Sequence, residues 1–327
     1  MPSSSHHYVY DSENCIFEIM GDFDLRPCGK MVGLVGEKAY CGVSFHPYED
    51  LVAFVTEKGM TVSDFYGNHL WDYEALVVAL IFSRDGEEIW IAEKQNEETL
   101  FVAVVDAKSG MENSANTFED PIYDSHPRFC HAPDTVLMEL AAGQDGIEVW
   151  EFDDTDSALQ YRKVFPGYGH LVPVFHPDSR RLLTLDNDDR FFYTYTWPDE
   201  TLIAKQDSTK VNWDDTETIN DYYFEYLKNG LAFVQSFNYR FYLFDPTKME
   251  RLEELVIEGF EPRQGLYKEL YPNTKEDGTL HSPLQSFERT GNVLLARTCH
   301  LLKNQATVLI AEDDLIKQIS IKGFTNS

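Results

Sequence analysis

Residues 174–197 read VFHPDSRRLLTLDNDDRFFYTYTW: a short apolar stretch closed by an aromatic, a Pro-Asp turn, an apolar run, an acidic turn and an alternating aromatic run. The same order recurs along the chain. Phe45, Phe82, Phe129, Phe175, Phe224 and Phe287 each anchor a short strand, a polar turn and a second apolar strand, as in VSFHPYEDLVAFV, LIFSRDGEEIWIA and QSFERTGNVLLAR. The Pro, Asp, Gly or Asn after the aromatic supplies the dihedral angles of a tight turn. A second turn, such as TEKGM, AGQDGI, DNDDR or SFNYR, leads into a third strand: MTVSDF, LFVAVVD, IEVWEFD, FFYTYTW, RFYLFD and TVLIAED. These runs alternate with the two-residue period of a strand. Gly59 and Gly146, with Asp188 and Asn238 at matching points, are expected in the tight second-to-third connections. A weaker fourth strand is expected in ALQYRKVF, ETLIAK and RLEELVIEG, because an outer strand has one side in water.

Four antiparallel strands recurring roughly every 40 to 50 residues are the signature of propeller blades. Helical solenoids would need a 3.6-residue period and are excluded. The expected fold is therefore all-β, a single β-propeller domain over residues 1–327. Six copies account for residues from about 39 to 327. YVYD, NCIFEIM and CGKMVGLVG, within about 8–36, form a degenerate first blade that the C-terminal ISIKGF would complete. The expected count is seven blades of four antiparallel strands; six, with the N-terminal strands completing the last, is the alternative. Residues 106–124 and 258–283 read as long polar connections, which are usually functional or mobile.

Gly169-His170 followed by VFHPDSRRLL, FSRDGEEIWIA at 82–92 and GIEVWEFD at 146–153 resemble the WD-repeat superfamily, in which Gly-His precedes a strand and a later strand ends in Trp-Asp. The resemblance implies a WD-repeat-like propeller presenting loops to other proteins. The literal Trp-Asp pairs, Trp71-Asp72 and Trp213-Asp214, lie beyond the third strand of their copies, which leaves other propeller families open.

Charge adds a second constraint. The chain carries 27 basic and 56 acidic residues, a formal net charge of −29. A field of that sign repels phosphate backbones and anionic headgroups, so neither nucleic acid nor membrane is an expected partner. The same carboxylates suit either a solvated, soluble surface or a face that attracts a basic protein, and composition does not separate the two. Hydrophobic residues at 43% and aromatics at 14% supply a core and exclude disorder of the whole chain. Cys15, Cys28, Cys41, Cys130 and Cys299 are odd in number and scattered, which fits a reduced setting; with no secretory pattern at the N-terminus, the expected location is cytoplasmic.

Candidate chemistry is sparse. His46, His126 and His176 precede proline, but His46 and His176 occupy equivalent turns of different copies, so turn packing accounts for them better than a metal. DNDDR at 186–190 fails the calcium pattern at Arg190. No GxSxG elbow, GxxxxGK[ST] loop or GxGxxG is present, and no catalytic residue, metal or cofactor is assigned. Binding chemistry is better represented, by loop aromatics and acidic residues: Tyr73, Asp120, Tyr123, Tyr168, Asp188, Asp189, Trp213, Asp214, Asp215 and Tyr239. Aromatics would anchor a partner and carboxylates would steer it. The expected function is a non-catalytic interaction or scaffold propeller binding, and in one version neutralising, a basic protein such as a nuclease toxin. The alternative is a propeller hydrolase or lyase acting on a small substrate at the central channel.

Overall fold

The computed structural model of the chain describes residues 8–10, 14–19, 25–34, 42–96, 99–119, 127–141, 147–153, 158–164, 173–176, 180–186, 191–207, 210–211, 223–226, 230–235, 241–255, 299–301, 307–312 and 315–320. They fall in two compact units, Met1–Val172 and Pro173–Ser327. The regular elements are strands, and each sheet joins consecutive strands in antiparallel order.

Among the described residues the first unit holds four sheets: β1 (Tyr8–Tyr10), β2 (Cys15–Ile19) and β3 (Leu25–Lys30); β4 (Val43–Phe45), β5 (Leu51–Thr56), β6 (Gly59–Asp64) and β7 (His69–Tyr73); β8 (Val77–Phe82), β9 (Glu88–Lys94), β10 (Thr99–Asp106) and β11 (Glu112–Glu119); β12 (Arg128–His131), β13 (Val136–Ala141), β14 (Ile147–Asp153) and β15 (Gln160–Val164). The described residues of the second unit form three: β16 (Val174–Phe175), β17 (Arg181–Asp186), β18 (Phe191–Thr196) and β19 (Leu202–Asp207); β20 (Tyr223–Tyr226), β21 (Ala232–Gln235), β22 (Phe241–Asp245) and β23 (Glu250–Leu255); β24 (Cys299–Leu301), β25 (Thr307–Glu312) and β26 (Leu315–Ser320).

The expected third strands fall on β6, β10, β14, β18, β22 and β25, and the expected fourth strands on β15, β19 and β23. One segment read as a connection is a strand: ENSANTFE within 106–124 is β11, paired along its length with β10. Its polarity suits an edge strand whose outer side meets water. Ile319 and Ser320 pair with Val308 and Thr307 inside their own sheet.

The middle strands are buried on both faces because sheets stack on each other within a unit. In the third sheet Ile89, Ile91, Ala103 and Val105 pack against Ala53, Val55, Met60 and Val62 of the second. The alternate residues Trp90, Ala92, Val102 and Val104 pack against Val136, Met138, Leu140 and Trp150 of the fourth. One strand thus feeds two interfaces, which is why its sequence is apolar nearly throughout.

The repeat register holds with a correction. Phe45, Phe82 and Phe175 end their first strands, opposite Val52, Ile89 and Leu182. In the fourth and sixth sheets that terminal place belongs to His131, opposite Val136, and Tyr226, opposite Ala232. Phe129 and Phe224 sit two residues earlier on the same face, a slip that side-chain alternation does not reveal. Phe287 lies outside the described residues. Nor are the anchors uniformly buried: Phe82 is, whereas Phe45 and Phe175 are partly exposed and meet Phe65 and Trp197 edge-on at 5.9 and 5.6 Å.

Candidate functional site

Antiparallel order puts the first-to-second and third-to-fourth turns of a four-stranded sheet at one end, called here the turn end. The second-to-third turn and the chain leaving the fourth strand lie at the other, the end at which the sequence reading expects the binding residues. Of these, Tyr73 is described; Asp120, Tyr123, Tyr168, Asp188, Asp189, Trp213, Asp214, Asp215 and Tyr239 lie outside the described residues, as do Gly146, Asp188 and Asn238 of the turn expectation. Gly59, expected in the second-to-third connection, is instead the first residue of β6, opposite Thr56; its φ is 149°, and a side chain there would collide with the Tyr73 carbonyl as the chain leaves β7.

Tyr73 is half-buried, and its hydroxyl donates to Glu93 Oε1 on β9 of the next sheet. Burial, then the hydrogen bond to Glu93, drives the phenol far above its usual range. Burial also raises the Glu93 carboxyl, and the Glu112 charge adds to this while the Tyr73 hydroxyl opposes it. The polar tip expected to meet a partner joins two sheets instead.

The turn end is the better defined. The last residue of a third strand caps the turn that follows: Asp106 Oδ1 accepts from the amides of Lys108 and Ser109 at 3.1 and 2.7 Å, and Asp245 Oδ1 from those of Thr247 and Lys248 at 2.9 and 3.0 Å. Hydrogen bonds from Ser109 hold the Asp106 carboxyl below its usual range. The residue after the third strand then donates its amide to the residue before the second, as in Met31 to Asn14, Phe65 to Asp50, Ala107 to Glu87 and Trp197 to Arg180. The short Asp side chain suits this work because it reaches amides two and three residues on.

Polar groups also cross between sheets at this end. His46, buried and following the anchor Phe45, accepts at Nδ1 from the amides of Tyr48 and Glu49 at 3.1 and 2.8 Å. The proton therefore resides on Nε2, which donates to the Gly86 carbonyl of the next sheet at 3.0 Å. Burial lowers the pKa of His46 and favours this neutral form. Ser44 Oγ accepts the Phe82 amide at 3.0 Å, and His131 Nε2 meets the Phe82 carbonyl at 2.6 Å, so the end of β8 is held from both sides. Farther out, the turn after a third strand receives the neighbouring sheet: Trp71 Nε1 donates to the Ala107 carbonyl at 3.0 Å, Asn116 Nδ2 to Leu159 at 2.7 Å and Thr194 Oγ1 to Pro246 at 2.6 Å. The sequence signal for the inner contact was present as Phe-His-Pro at 45–47 and 175–177 and a turn glycine in the following copy.

Reactive chemistry is weaker. Burial, followed by the Glu139 charge, pushes the Cys130 thiol far up, and burial followed by Glu18 raises Cys28 to about 11. An activated thiolate needs the opposite shift. Among the described residues no group of His, Cys, Asp and Glu is arranged to hold a metal ion, and no helix is long and apolar enough to cross a membrane.

No family model matches the chain, and no curated protein matches it. Among solved structures it is similar to a protein of unknown function from Bacteroides caccae, whose crystal structure was determined at 1.35 Å resolution: 13% identity over 77% of this chain and 93% of that one, with a TM-score of 0.46.

Proposed function

We propose that the sheets are blades of one WD-repeat-like β-propeller, seven in number, and that the chain is a non-catalytic interaction module for a basic protein in the cytoplasm. The propeller reading is supported within each unit: β4 lies against β8 and β8 against β12, as β16 lies against β20, so first strand neighbours first strand. Sheets arranged in that way fan out around their first strands. The observation that carries the function is charge, a formal −29 on a chain whose Asp and Glu residues recur at strand ends. Since a propeller scaffold hosts many activities, the binding reading rests on this surface and not on the fold. Neutralisation of a basic toxin is its sharpest form.

Affinity capture on the full chain from native lysate, eluted with a salt gradient and identified by mass spectrometry, tests the reading. A basic protein released by moderate salt is the expected result. Recovery of acidic proteins alone, or turnover of a small substrate by the purified chain, would overturn it.

A further inference from the structure

The turn end of the first unit carries an apolar stripe. Val32, Tyr66 and Met111 are 74%, 79% and 69% exposed, and Tyr48 and Leu70 are exposed beside them; among the described residues of that unit, Leu76 is the one exposed large apolar side chain at the opposite end. Bonds between the sheets hold the five near one another. The Lys30 amide, two residues from Val32, donates to the carbonyl of Phe65, which precedes Tyr66. Trp71, next to Leu70, packs on Gly110, next to Met111, and donates to the Ala107 carbonyl. Lys108 Nζ lies 3.7 Å from Glu49, next to Tyr48. The stripe therefore crosses three consecutive sheets on turns that hydrogen bonds hold in place.

Its surroundings favour one kind of partner. Glu49, Asp50, Asp85, Glu87 and Glu112 are exposed at the same end, against Lys30, Arg84 and Lys108, and Lys108 is directed at Glu49. Apolar anchors rimmed by excess negative charge complement a chain that alternates cations with apolar side chains. We propose that this end of the first three sheets is the docking surface for a basic polypeptide segment bearing apolar anchors. The proposal rests on the interaction-module reading and assigns it a place and a ligand chemistry.

The test uses the full chain and a bead-displayed library of short peptides in which Lys or Arg alternates with Phe, Leu or Trp, beside a matched library with Glu in place of the cations. Peptides should be recovered from the cationic library, and Tyr66→Ser combined with Met111→Ser should weaken them by about fivefold or more, the range for losing an interface anchor. Leu76→Ser should leave them unchanged. These side chains are exposed, so circular dichroism and melting temperature should match the parent. Equal recovery from both libraries, or unchanged affinity in the double variant, overturns the proposal; if Leu76→Ser then weakens binding, the module reading survives with its surface at the other end. A parent chain that sediments as a dimer while the double variant is monomeric would mean the stripe seats a second copy, which also overturns it. If neither peptides nor lysate proteins bind, both readings fall.

Discussion

His46 in the first unit and His176 in the second follow their anchors in the same Phe-His-Pro context, yet they are seated with different closeness. His46 is engaged at both ring nitrogens and presses on Gly86, where φ is 78° and a side chain would collide with the imidazole. His176 lies against Gly230, where φ is 84°, but a Cβ there would stand 3.9 Å from Nε2, an ordinary contact. Both rings meet the terminal aromatic of the next first strand, Phe82 at 5.1 Å and Tyr226 at 5.4 Å. The same three residue types thus recur with a tight fit in one place and a looser one in the other. A repeated motif fixes which elements meet; the flanking turn fixes how closely.

The largest expected effect breaks the tight copy. Gly86→Ala imposes both an unfavourable φ and a collision, and should cost about 2 to 4 kcal/mol by urea denaturation, whereas Gly230→Ala bears the dihedral term alone, about 1 to 2 kcal/mol. Equal losses would show that the two contacts are equivalent. His46→Ala should cost about 2 to 3 kcal/mol, because it leaves the Gly86 carbonyl and two amides without their partner. Trp71→Phe keeps most of the packing over Gly110 and removes the bond to Ala107, so about 1 kcal/mol is expected from the same titration.

The smallest effect concerns the opposite end. Burial raises the Glu93 carboxyl above its ordinary value of 4.5, so the folded state favours the protonated form. The unfolded chain gives up this proton at lower pH than the folded one, and the stability it contributes below the ordinary value is lost as pH rises through the raised one. Glu93→Gln, still able to accept from Tyr73, should therefore gain on the parent in melting temperature as pH increases from 4.5. Melting curves that stay parallel across that range would mean Glu93 is not strained by burial.

The sequence made the repeat legible because turn residues and apolar runs are local signals. It placed the third strands β6, β10, β14, β18 and β22, while TVLIAED is β25, the middle strand of the last sheet. The register slips where two ring side chains lie two residues apart, Phe224 and Tyr226 in one copy and Phe129 and His131 in another, since both residues of each pair face the same way. It also read Glu112–Glu119 as a connection, because an edge strand with polar side chains has no apolar period. The candidate site was less legible still. A rim tyrosine and a tyrosine that joins two sheets look alike along a chain, and only the position of Glu93 separates them for Tyr73. The exposed stripe depends on which turns share an end, a property of sheet pairing that spans Val32 to Met111 and leaves no motif.

The central claim is that an acidic interaction surface draws a basic protein, and the ionic-strength dependence of the association rate tests it most directly. With a partner recovered by capture and immobilised for surface plasmon resonance, the association rate of the full chain should fall steeply as salt rises, with a shallower fall for Glu49→Gln combined with Glu87→Gln and little change in dissociation. An association rate that is flat across salt, or that falls identically in the parent and the double variant, would contradict the account.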